Sequence, residues 1–279
     1  MRVITTVAEM TAARDAATGS VGLVPTMGYL HEGHLSLVRQ TRADNDLVVV
    51  SIFVNPTQFG PGEDFERYPR DEERDLALLR AENVDVVFLP SIDEMYPPGF
   101  DEWVELHGPV AERLEAEHRP GHFRGVTTIV ARLFRIVRPH RAYFGQKDAQ
   151  QLRVIRRMTA ELALPVEVVG MPIVRERDGL AMSSRNVYLS PVERSHALVL
   201  SHALREAESA VREGERNANA IRERVRSMIA SEIGVELDYV SVVDDETLVE
   251  VEVIDRPALL LVAASVGKTR LIDNVTLAS

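Results

Sequence analysis

Between positions 21 and 171 the chain alternates short apolar runs with longer stretches of helical period. Residues 21–25 are apolar and stopped by Pro25, and over 33–42 Leu35, Val38 and Thr41 share one helical face. Residues 47–54 (LVVVSIFV) are continuously apolar, as in a parallel strand covered on both sides. The spacing predicts a helix over 70–81, whose acidic first turn suits the helix dipole, and a buried strand over 85–89. A strongly apolar helix is expected over 126–137, a strand over 142–144, an amphipathic helix over 148–162 and a strand over 166–169. Strand alternating with helix implies an α/β unit built on a Rossmann-like parallel sheet with right-handed crossovers. Ligands in such sheets bind at the carboxyl ends of the strands. The segments after Pro25, Val54 and Phe144 are where chemistry is expected.

Beyond about residue 174 the texture changes. Two long helical patterns, 191–213 and 217–233, precede three strand-like runs at 237–243, 258–264 and 270–275. Helices followed by closely linked strands predict a smaller α+β domain. The expected division is 1–173 for a nucleotide- and substrate-binding domain and 174–279 for a C-terminal lid, and the length of 279 residues agrees with two domains. The acidic stretch 244–252 reads as a solvated loop or edge.

Composition narrows the chemistry. A net charge of −11 disfavours a broad nucleic-acid face, although a local cluster of donors still suffices for ATP. The absence of cysteine removes disulfides, thiolate nucleophiles and Cys-ligated zinc together. No apolar run approaches the ~20 residues of a bilayer span, and 1–19 lacks the apolar core of a secretion signal. A cytoplasmic protein with neither nucleic-acid nor membrane partners is expected.

Met27, Gly28, Tyr29, Leu30, His31, Glu32, Gly33 and His34 follow the first strand and lead into a helix. His31 and His34, three apart, share one side of its first turn. The free amides there favour an anion, and two imidazoles add directed donors. A metal pair or ordinary surface histidines are the competing readings. After the second strand, Asn55 and Gln58 offer amides able to hold carboxylates and hydroxyls; a plain Asn-Pro turn is the alternative. Gly145, Gln146, Lys147 and Asp148, with Gln150 and Gln151 beyond, stand at the third strand end, where Lys147 can meet a phosphate. Met182, Ser183, Ser184, Arg185 and Asn186 suit a loop that closes over phosphates. Pro120 and Gly121 mark 117–125 as non-helical, so His118, His122 and Arg124 either line a pocket or brace the fold. His196 and His202 read as solvated. Asp71, Glu72 and Asp75 read as a solvated helix face, with a metal or the pyrophosphate end of a nucleotide as the lesser reading. Gly267-Lys268-Thr269 imitates a phosphate-binding loop, but Val262 stands where its first glycine is required.

Together the motifs say more than each alone. Pro25-Thr26-Met27-Gly28, His31-Glu32-Gly33-His34, Phe53-Val54-Asn55-Pro56-x-Gln58-Phe59, Tyr68-Pro69-Arg70, Arg119-Pro120-Gly121-His122-Phe123-Arg124-Gly125, Phe144-Gly145-Gln146-Lys147-Asp148 and Met182-Ser183-Ser184-Arg185-Asn186 occur in that order. From about residue 20 to the C-terminus the chain resembles the pantoate–β-alanine ligases, nucleotidyltransferases with a His-x-Gly-His signature. That resemblance implies ATP-dependent condensation of pantoate with β-alanine through a pantoyl adenylate, with Mg2+ accompanying ATP, and a homodimer. It implies ATP binding by Met27 to His34, by Gly145, Gln146, Lys147 and Asp148, by Val174, and by Met182, Ser183, Ser184 and Arg185. His34, described as a proton donor, His31 and Lys147 become the expected catalytic residues. Gln58, Gln151 and Asn55 become the expected substrate ligands, and the residues that would hold the magnesium are unknown. Tyr29, Gln146, Ala116 and His140 depart from the usual residues without removing a proposed ligand. A related adenylyltransferase using a different acceptor is the alternative reading.

Overall fold

The computed structural model describes residues 1–277, which form two compact units. The first comprises Met1–Gln146 and Gln150–Pro172, and the second Lys147–Ala149 and the chain from Ile173 onward.

The first unit is a six-stranded sheet with every neighbouring pair parallel. Its strands are β1 (Arg2–Ile4), β2 (Val21–Thr26), β3 (Leu47–Ile52), β4 (Val86–Phe88), β5 (Arg141–Gly145) and β6 (Glu167–Met171), in the order β1-β4-β3-β2-β5-β6. The longer helices are α1 (Val7–Ala16), α2 (Glu32–Asp44), α3 (Glu72–Ala81), α7 (His122–Val137) and α8 (Ala149–Glu161); α4 (Ile92–Met95), α5 (Pro109–Glu112) and α6 (Glu115–His118) are single turns. The apolar runs of β2 and β3 become the sheet centre because side chains on both faces are covered. Val24, Val48, Val50 and Ile52 pack with Leu30, Leu37 and Val38 of the β2–α2 segment and with Leu79 of α3. From β2 the chain moves outward to β3 and β4, then returns to place β5 on the other side. The carboxyl ends of β2 and β5 therefore flank the reversal of strand order, where open α/β sheets hold ligands.

Two elements lie outside the sequence pattern's reach and one local expectation needs correction. Residues 1–19, for which the pattern predicts no element, contain β1 and α1, which carry weak signals: β1 has three residues at the sheet edge, and α1 buries only Met10. Helix α7 starts at His122 rather than 126. Gly121, in the left-handed conformation at φ 81°, stands at its N-cap, so the Pro-Gly pair begins the helix instead of breaking it.

The second unit packs α9 (Pro191–Arg212) and α10 (Ala218–Ala230) with an antiparallel sheet of β7 (Val235–Asp244), β8 (Ala258–Val266) and β9 (Thr269–Leu277). Ser190 and Glu193 form a reciprocal capping box at the start of α9. Leu200, Leu204, Ile221, Val225, Val242, Leu260 and Val262 share the core. His202 is exposed as expected, whereas His196 is half-buried with Nδ1 2.5 Å from Glu232 Oε1. No helix among the described residues is long and apolar enough to cross a membrane.

Candidate active site

The turn between β2 and α2 is held by main-chain geometry before any histidine is reached. Gly28 and Tyr29 are successive left-handed residues, at φ 82° and 49°. A Cβ on Gly28 would lie 3.0 Å from Ile52 Cγ2 and 3.1 Å from Asp75 Oδ2, so glycine is needed for space as well as conformation. The Gly28 amide donates to Thr26 Oγ1 at 3.2 Å, and the Thr26 hydroxyl donates to the Ser51 carbonyl of the next strand at 2.8 Å. The next two amides reach across to α3: Tyr29 N–H donates to Asp75 Oδ2 at 2.6 Å and Leu30 N–H to Asp75 Oδ1 at 2.7 Å. Asp75 is 1% exposed, which corrects its reading as part of a solvated face. Burial pushes its carboxyl above the usual range, against the two amide bonds and Arg74.

His31 is the N-cap of α2 and His34 lies in its first turn, their ring centroids 4.0 Å apart. His34 Nδ1 accepts the His31 amide at 3.3 Å. In the neutral ring that acceptor role leaves the proton on Nε2, so the backbone selects an Nε2–H donor. Glu32 is different: its carboxylate pairs with Arg39, two turns further along the same face of the helix.

The segment after β3 supplies the second group. Asn55 is 1% exposed and fully engaged. Its amide nitrogen donates to the Gly125 carbonyl at 3.1 Å and to Gln58 Oε1 at 3.2 Å. Its oxygen accepts the Tyr96 hydroxyl at 2.8 Å and the Thr57 hydroxyl at 3.0 Å. Gln58 Nε2 in turn lies 3.1 Å from Met27 Sδ. Gln58 and the β2–α2 turn are thus brought together, with Asn55 behind them as the group that orients Gln58.

His122, which the sequence pattern leaves between lining a pocket and bracing the fold, braces the Gln58 segment. His122 Nδ1 is 2.8 Å from the Gln58 carbonyl, an acceptor, so Nδ1 carries the proton. Its Nε2 lies 3.1 Å from Arg119 NH1, a donor, and completes the neutral tautomer. Arg119 also binds both oxygens of Glu63, at 2.8 and 2.6 Å, and holds that carboxyl below its usual range although burial opposes this. Burial, with the Arg119 charge beside it, pushes His122 down to about 4. Unfolding therefore binds a proton at this site between about pH 6.5 and 4, so its stabilising contribution is complete above 6.5 and is lost as pH falls. Between pH 7 and 5 the loss amounts to about 2 kcal/mol. Urea midpoints should fall over that interval by more in the wild type than in His122→Gln, and equal falls would remove His122 as the cause.

Of the residues after β5, Gly145 closes the strand and Gln146 Oε1 accepts from Arg153 at 3.0 Å. The two neighbouring glutamines separate clearly. Gln150 is buried and braces the short helices, accepting the Glu115 amide at 3.0 Å and donating to the Val110 and Arg113 carbonyls at 3.0 and 2.8 Å. Gln151 is half-buried on the first turn of α8.

Within the second unit, Lys147 Nζ is 3.5 Å from Asp148, and the Lys147 carbonyl accepts the Asn274 amide at 2.9 Å. Val174 and Met182 face one another across a narrow hairpin, Met182 N–H donating to the Val174 carbonyl at 3.0 Å. Arg175, beside Val174, binds both Asp273 oxygens on β9 at 2.6 and 2.9 Å. Ser183 caps a 3-10 turn of Ser184–Tyr188, its hydroxyl accepting the Arg185 amide at 3.2 Å. Asn186 fastens that turn to Glu176 and to the Ala181 carbonyl, at 3.0 and 3.1 Å. Ser184 is buried, whereas Ser183 and Arg185 are half-buried.

The sequence pattern of the family described as pantoate-beta-alanine ligase matches residues 2–276. A protein of Roseiflexus sp. strain RS-1 named pantothenate synthetase is 61% identical over 277 residues, covering 99% of each chain. The crystal structure of pantothenate synthetase from Thermus thermophilus superimposes with a TM-score of 0.97 at 50% identity, covering all of both chains. A pantoate-beta-alanine ligase from Francisella tularensis, crystallised with beta-gamma ATP and beta-alanine, gives a TM-score of 0.83 at 32% identity, over 99% of this chain and 97% of that one.

Proposed function

For this chain, which belongs to the pantoate-beta-alanine ligase family, we infer the ATP-dependent condensation of pantoate with β-alanine. A pantoate carboxylate oxygen attacks the α-phosphorus of ATP, and the bond to pyrophosphate breaks. The β-alanine amine then attacks the acyl carbon of the bound pantoyl adenylate, loses a proton and expels AMP, leaving pantothenate. The Gln58–Met27 contact carries this reading, because it joins a candidate acid-binding amide to the phosphate-binding turn within one unit.

Both steps need positioning and charge stabilisation more than covalent help. The carboxylate is ionised at neutral pH and is its own nucleophile. His34, through Nε2–H, and the first-turn amides of α2 serve the phosphate oxygens, whose charge grows as pyrophosphate leaves. His31 supports the same anion. Gln58, its oxygen engaged by Asn55, presents Nε2–H to pantoate, and Gln151 is assigned to the same substrate. Lys147 supplies a cation to ATP, and Asp148, Val174 and Met182 to Arg185 are assigned to the nucleotide by the family resemblance. No group of three or more His, Cys, Asp or Glu among the described residues could hold a metal ion. Magnesium is assigned as the nucleotide's own counterion, bound chiefly through phosphate oxygens. A homodimer in the cytoplasm completes the proposal, and light scattering tests the assembly.

Two assays on one preparation decide the reaction. Exchange of labelled pyrophosphate into ATP should require pantoate, and AMP release should accelerate on adding β-alanine. Exchange without any need for pantoate would sink the reading. Pantoate-dependent exchange followed by no response to β-alanine would favour an adenylyltransferase with another acceptor.

A further inference from the structure

We propose that Asp75 is a positioning residue for the adenylation step, fixing the turn that presents the His-x-Gly-His segment to the phosphates; this rests on the function proposed above. Asp75 belongs to α3, 46 residues away from Tyr29 in the chain. It is 1% exposed, and its two oxygens accept the successive amides of Tyr29 and Leu30 at 2.6 and 2.7 Å. Those amides close the pair of left-handed residues Gly28 and Tyr29. A left-handed tyrosine is unfavourable by itself, so an interaction from outside the turn must hold it. Asp75 supplies that interaction with one carboxylate oxygen for each amide, a charge-assisted pair.

The geometry has a direct consequence for chemistry. His31 follows Leu30 immediately, and the backbone amide of His31 sets the tautomer of His34. A change in the direction of the 29–30 peptide therefore moves the N-cap, both imidazoles and the first-turn amides together. Arg74 reinforces the arrangement: its guanidinium lies 3.6 Å from Asp75 Oδ1 and 5.3 Å from the centroid of the Tyr29 ring.

Asp75→Asn keeps the shape but replaces one acceptor with an NH2 that opposes a backbone N–H. In pantoate-dependent ATP–pyrophosphate exchange this variant should lose roughly 10- to 100-fold in kcat/KM for ATP, with the KM for pantoate within about twofold of wild type. Loss of stability alone would reduce the active fraction and leave both KM values unchanged. Unchanged ATP parameters, or equal weakening of ATP and pantoate, would overturn the proposal. If the variant does not fold, the wild-type protein labelled with 15N-tyrosine answers instead, with Tyr29→Phe used to assign the Tyr29 amide. That amide should exchange with solvent slowly, and fast exchange would overturn the assignment. Absence of pantoate-dependent exchange in the wild type would count against the function itself, a result distinguishable from either outcome for Asp75.

Discussion

His34→Ala should lower pantoate-dependent ATP–pyrophosphate exchange by about 10²- to 10³-fold, the range expected when one preorganised donor to a developing oxyanion is removed. His34→Gln should retain most of the activity. The reason lies in the tautomer: Nδ1 accepts the His31 amide, so the neutral ring carries its proton on Nε2. A glutamine amide nitrogen reaches a similar position and can donate, but cannot act as a proton source near neutral pH. The pair of variants therefore separates hydrogen bonding from proton transfer. A glutamine variant as inactive as the alanine variant would require the imidazole to give up its proton. The same comparison made on the second half-reaction, from preformed adenylate, should show a smaller loss, because pyrophosphate has already left.

Gly125→Ala should damage both stability and substrate binding, although alanine is the better helix former by up to about 1 kcal/mol. A Cβ at position 125 would lie 2.4 Å from the Thr57 carbonyl oxygen and 2.6 Å from both the Thr57 carbonyl carbon and the Gln58 nitrogen. All three atoms are backbone, so no side chain can swing aside. Overpacking of this kind costs about 1–3 kcal/mol, a fall in Tm of roughly 2–10 °C. Relief requires the 57–58 segment to move away from α7. That movement stretches the bonds from Asn55 to Gly125 and from His122 to the Gln58 carbonyl. The KM for pantoate should rise at least tenfold, on the order expected for a misplaced binding group. A thermal melt and a pantoate titration on the folded variant check this. An unchanged Tm together with an unchanged pantoate KM would show that the contact relaxes without cost.

What the sequence disclosed followed from how locally each feature is encoded. β2 and β3 are central because their apolar runs leave no face for water, and the helices between strands repeat at helical spacing. β1 and α1 escaped because an edge strand of three residues and a helix with one buried side chain barely bias the pattern. The start of α7 was hidden because Pro120-Gly121 signals either a break or an entry, and only the left-handed Gly121 at the N-cap distinguishes them. The same limit applied at the site. The candidate phosphate-binding turn, Gln58 and the segment after β5 carry recognisable local motifs. Asp75 looked solvated because it shares an acidic first turn with Asp71 and Glu72, and its amide partners lie far away in the chain. Asn55 suits a ligand by type and position; that it also braces Gln58, through bonds to Tyr96 and Gly125, is a tertiary fact. Motif spacing can identify which segments meet a ligand, but which side chains stand behind them depends on contacts formed after folding.

The saturation of Asn55 also bears on inhibitor design. On the proposed assignment of Gln58 to pantoate, Asn55 takes one acceptor position of the Gln58 oxygen, and Nε2–H is the donor the glutamine offers a competitor. A pantoate mimic should place a carboxylate, sulfonyl or ether oxygen against it. An ammonium or a primary amide nitrogen at that point would meet another donor.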